Sequence, residues 1–172
     1  MSKNYKDVIK NKRLEAGKLM TEDQLVKCNL AIHSAATASG AAGAIPIPVA
    51  DAVPITAAQV AMVLALGKIF EQEITESVAK GLIGAAASTF VGRNLIKLIP
   101  VAGWVASAAV AAGVTEAIGW TVAVDFANNA RREWERRRNA EEAAQAYAAA
   151  EKYKWAAQRT DADEDAEDFG EE

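Results

Sequence analysis

Ile47-Pro48-Val49-Ala50-Asp51-Ala52-Val53 and Ile99-Pro100-Val101-Ala102-Gly103-Trp104-Val105 share five of seven residues at an offset of 52. In each, the residue before proline is pushed out of the α region, so both stretches interrupt helices. The same offset pairs Val26 with Val78, Leu30 with Leu82, Ala35 with Ala87, Gly40 with Gly92 and Gly67 with Gly119. The pattern reads as two copies of a helical hairpin, each helix, Ile-Pro-Val-Ala elbow, helix. Pro46, Pro48, Asp51 and Pro100 are the elbow residues, with Asp51 placed to cap the helix that follows.

Outward from the elbows, Thr21-Glu22-Asp23-Gln24 has the form of a capping box, which predicts a helix over 22–43. Apolar residues at Val53, Ala57, Val60, Leu64, Gly67, Phe70 and Ile74 predict a second helix over 52–73. A third runs from 76 to 97, and a fourth from near Gly103 through Val124, with a bend expected at Asn128-Asn129 or Asn139. The expected fold is all-α: a four-helix core at 21–127, made of hairpins 22–73 and 76–127, followed by a charged helix. Small residues recur at helical spacing, Gly81, Ala85, Ser88 and Gly92 on one face and Ala109, Gly113 and Ala117 on another, which lets helix backbones approach closely.

Composition agrees with this reading. Of 172 residues 39 are Ala, the best helix former, and only 6% are aromatic, which disfavours a β-sandwich. A single Cys (Cys28) and a single His (His33) exclude a disulfide framework and a His-pair metal site built by this chain. No phosphate-binding loop is present, since Gly40-Ala41-Ala42-Gly43 lacks the Lys and hydroxyl that hold phosphate and Mg²⁺. No catalytic residue, cofactor or metal is expected, and the chain reads as a non-enzyme.

Charge is segmented. Residues 1–20 carry six Lys/Arg against two acids and read as a basic N-terminal arm. Residues 128–159 form an Arg-rich, then Ala-rich helix, and 160–172 read as an acidic disordered tail with eight acids from Asp161 onward. Between them, Leu98 to Thr115 is 18 residues without a charge, and with Glu116 as the only interruption the run reaches Val124. That length permits a membrane span, with Trp104 and Trp120 near its ends and Arg131, Arg132, Arg136, Arg137 and Arg138 after it as positive-inside would place them. Ala and Gly richness favours instead a compact soluble bundle, and both architectures fit. Glu116 requires a partner such as Arg93 or Lys97, or water.

The cluster Arg131 to Arg138 reads as a salt-bridged helix face or as a contact for anionic lipid with Trp134 at the headgroups. No recognised nucleic-acid module accompanies it in a chain that is acidic overall, so no nucleic-acid partner is expected. The acidic tail is expected to fold back on the cluster and oppose lipid binding. Self-association through the Ala/Gly faces into a homo-oligomer is the alternative role.

Ala44-Ile45-Pro46-Ile47-Pro48-Val49-Ala50-Asp51-Ala52-Val53-Pro54, with Ala58-Gln59-Val60-Ala61-Met62-Val63 and Leu95 to Gly103, resembles an uncharacterised bacterial α-helical domain often found C-terminal to Era-like small GTPase domains. The resemblance covers about residues 25–127. It implies a helical, membrane-associated output or docking domain in the cytoplasm, at the inner face of the membrane or inserted in it. The GTPase itself is absent from this chain, so the implied small GTPase would act in trans.

Overall fold

The computed structural model describes residues 5–43, 52–91 and 108–168. Among these, 94% are helical and none lies in a strand, so the expected all-α class holds. The helices are α1 (Tyr5–Leu19), α2 (Glu22–Gly43), α3 (Ala52–Ile69), α4 (Glu76–Val91) and α5 (Ala108–Asp168). The elbow residues Pro46, Pro48, Asp51 and Pro100, together with Gly92 and Trp104, lie outside the described residues. The chain divides into two units, Met1–Ala130 and Arg131–Glu172.

In the first unit the opening 23 residues of α5 are the centre. Every residue from 117 to 124 is buried, which requires neighbours on all sides of the helix. Contacts along α5 set the direction of each neighbour. On α2, Ile32 meets Gly119 while Gly40 meets Ala108 and Ala112, so α2 runs antiparallel to α5. On α3, the amide Nε2 of Gln59 donates to Thr115 Oγ1 at 3.0 Å, Met62 lies at Gly119, and the Phe70 and Phe126 rings meet edge to face at 6.3 Å. α3 therefore runs parallel to α5. Tyr5 of α1 packs on Gly113, and α4 packs against α3.

Residues 5–19, expected as part of a basic arm, form α1. Tyr5, Val8, Ile9, Ala16 and Leu19 stand at i, i+3, i+4, i+11 and i+14 on one helical face and join the core, while the Lys residues take the other faces. The capping box forms: Gln24 N–H donates to Thr21 Oγ1 at 3.2 Å and Thr21 N–H donates to Gln24 Oε1 at 3.0 Å. Helix α2 has the expected bounds. Its buried positions Cys28, Ile32, Ala35, Ala36 and Ser39 fall on one face.

Helix α3 ends at Ile69, four residues before the expected end, because the chain closes in a Schellman motif. Gln72 N–H donates to the Gly67 carbonyl at 2.9 Å and Glu71 N–H to that of Lys68 at 3.3 Å, with Glu71 left-handed at φ 56°. Ile74 then folds back so closely that a Cβ on Gly67 would stand 2.7 Å from its Cγ1. Glu occupies the position where Gly carries no penalty. Glu71→Gly should therefore raise stability by about 1 kcal/mol in chemical denaturation, and an unchanged midpoint would show that the turn holds no strain.

The helix is not interrupted at Asn128-Asn129 or Asn139, the positions where a bend is expected, and α5 continues to Asp168. Residues 160–168, expected to be a disordered tail, extend this helix, with Ala162 and Ala166 among the acids. In the second unit all described side chains from 131 to 156 are exposed except half-buried Glu135.

Candidate docking face and charged helix

Most helices of a globular unit turn a polar face to water, but α3 has no charged residue between Ala52 and Gly67. Gln59, Val60, Met62, Val63 and Leu66 point into the core. The opposite row, Val53, Ala57 and Ala61, is exposed, Val53 by 74%. Between this row and the start of α4 lies an open groove of about 540 Å³, lined by Val53, Thr56, Ala57, Val60, Ala61, Leu64, Glu76 and Lys80. At its rim Lys80 Nζ stands 2.6 Å from Glu76 Oε1, and this hydrogen bond, with the charge of Lys80, holds the Glu76 carboxyl below its ordinary pKa. Gly81, Ala85 and Ser88, expected to pack against a helix, are exposed on α4, with open space where a Gly81 Cβ would stand.

The second small-residue row is divided. Gly113 and Ala117 are buried, Gly113 beneath the Tyr5 ring, whereas Ala109 is exposed. Trp120, expected at a membrane interface, is 2% exposed inside the first unit, because α1 covers it and places the Arg13 guanidinium 5.4 Å from its ring centroid. The most apolar window of α5 is long enough to cross a membrane, yet 67% of it is already buried among the other helices, as in the core helix of a bundle. Glu116 has neighbours on α1 and α2, while Arg93 and Lys97, its expected partners, lie outside the described residues. Arg13 Nη1 and His33 Nε2 each lie 3.9 Å from its Oε1, so a carboxylate inside the apolar run has cationic and polar neighbours. Among the described residues no group of three His, Cys, Asp or Glu is arranged to hold a metal.

In the second unit the Arg cluster is laced to its own helix. Arg131 pairs with Glu135 at 3.0 Å, Arg137 with Glu133 at 3.6 Å and Arg138 with Glu142 at 3.6 Å. Arg136 Nε donates to the Arg132 carbonyl, and the Arg138 guanidinium stacks 4.8 Å from the Trp134 ring centroid. Such exposed pairs contribute a few tenths of a kcal/mol each. Among the described residues the acidic stretch continues the helix away from the cluster: positions 136 and 164 are 28 residues apart on one helix, about 42 Å along its axis.

The apolar periodicity assigns Val53 and Ala57 to one face with Val60, Leu64, Gly67 and Phe70, but both lie exposed, because the face turned into the core is centred on Gln59, Met62, Val63 and Leu66. The signal of the exposed row is the missing polar face between Val53 and Leu66. Compared with protein-family models, curated proteins and solved structures, the chain matches none of them.

Proposed function

We propose that this is a non-enzymatic docking protein that seats the α3–α4 surface of its helical unit on an anionic membrane at the cytoplasmic face, with a small GTPase acting in trans. The observation that carries the reading is the exposed apolar row Val53, Ala57 and Ala61 beside an open groove. Lys68 and Lys80 border that surface, where a cation on a long stem meets headgroups while its methylenes lie on apolar surface. The sequence leaving α4 supports a lipid occupant, since it carries Arg93 and Lys97 and then 18 uncharged residues from Leu98.

Vesicle flotation tests this. The full chain should float with vesicles containing phosphatidylserine, and Ala57→Glu with Ala61→Glu should weaken binding by roughly tenfold or more, because two carboxylates would have to be desolvated at the contact. Both positions are exposed, so circular dichroism and thermal melting should stay unchanged. Undiminished flotation of the double variant would overturn the assignment of this surface. A soluble self-assembling bundle is the second reading, favoured by the burial of most of the α5 apolar window within the chain.

A further inference from the structure

The stretch of α5 in the second unit is a single helix, and Trp134, Tyr147, Tyr153 and Trp155 on it are exposed. Its charge is polarised from end to end. Residues 131–138 hold five Arg and two Glu, 139–160 hold three acids and three bases, and 161–168 hold six acids. The acids occupy the last turns of the helix, where the backbone dipole disfavours negative charge, and no basic residue stands in the final turn. The Arg end of the same helix is about 42 Å away, several Debye lengths at physiological salt, and cannot neutralise them.

We infer that residues 131–168 pair with the same segment of a second copy, antiparallel about Ala150, so that the Arg-rich end of each copy lies against the acidic end of the other. The register follows from helical geometry. Positions three, four and seven residues either side of 150 share its face, and they are Ala143, Ala146, Tyr147, Tyr153, Lys154 and Ala157, with Lys154 the one charged residue. A two-fold axis through Ala150 brings position 143 opposite 157 and 147 opposite 153. Fourteen and eighteen residues out, the same face carries Arg136 and Arg132 at one end and Glu164 and Asp168 at the other. The pairing thus sets Arg136 opposite Glu164 and Arg132 opposite Asp168 of the second copy. Parallel pairing would stack like charges at both ends, which selects the antiparallel arrangement. Nothing in this inference depends on the α3–α4 surface.

Sizing with light scattering on the full chain tests it. The protein should be a dimer at about 100 µM, tighter at low salt. Arg132→Glu with Arg136→Glu should weaken the dimer by about tenfold or more, as should Glu164→Arg with Asp168→Arg. All four changes in one chain should restore it, because the complementary charges then stand on the other copy. Cysteine cross-linking reads the direction: a mixture of Arg136→Cys and Glu164→Cys chains should form a mixed disulfide, whereas Arg136→Cys alone should not link to itself. A wild-type monomer at low salt, self-linking of Arg136→Cys, or a dimer that ignores the charge changes and is broken by Ala57→Glu with Ala61→Glu would each overturn the pairing.

Discussion

A Gly119→Leu variant is expected to lose about 3 kcal/mol of stability, a drop of about 6 to 12 °C in Tm for a chain of this size. At Gly119 a bare Cβ would already stand 2.8 Å from Ile32 Cγ1 and 2.8 Å from Met62 Sδ. Met62 can swing its thioether aside, but Ile32 is fully buried and β-branched, with few rotamers to move into. Three further carbons must therefore push α2 or α3 away from α5. Gly119→Ala sets strain of about 1 to 3 kcal/mol against a helix-propensity gain of about 1 kcal/mol, and should be mildly destabilising. The same change at Gly81 has the opposite sign, because nothing lies within 4 Å of its Cβ position and only the propensity gain of about 1 kcal/mol remains. Thermal melts of the three variants measure the contrast. Tolerance of leucine at 119 would mean that the three helices do not meet there.

Cys28 should be nearly inert in the folded protein. Its side chain is buried on the core face of α2, and burial raises its thiol pKa from about 9 to about 11. At pH 8 the thiolate, the reactive species, is then roughly 100-fold scarcer than in the unfolded chain, before closed access slows labelling further. Iodoacetamide should modify the native protein at least about 100-fold more slowly than the protein in denaturant, and equal rates would show that α2 opens freely. The same shift has a consequence for stability. The folded state holds the thiol proton more tightly, so between about pH 9 and pH 11 the unfolded chain releases it first. Over that window the Cys28 contribution falls as pH rises.

How much of this was legible in the sequence depends on whether the cause was local. The capping box at Thr21 and Gln24 is a contact three residues long and marks the start of α2, and the glycines and the Ile45-Pro46-Ile47-Pro48 run mark its end, so both bounds are local signals. The end of α3 was missed because its C-terminal turn carries Glu71 where the usual signal is glycine. Counting charge at the N-terminus hid the apolar spacing of Tyr5, Val8, Ile9 and Ala16, which makes that segment a core helix. Trp120 and Glu116 were read from their neighbours in sequence, whereas Arg13, about a hundred positions earlier, decides the surroundings of both. Long-range partners of this kind leave no periodic trace.

The enclosure of α5 by earlier helices also shapes how the protein is made. Tyr5 leaves the ribosome 108 positions ahead of Gly113, the residue it covers, which at about 5 to 20 residues per second is roughly 5 to 20 s of synthesis. Through that interval the core faces of α1, α2 and α3 emerge without the helix that buries them. The nascent chain therefore exposes apolar surface of the kind that chaperones bind until the start of α5 emerges, and a stall just before Ala108 would leave these faces open to aggregation.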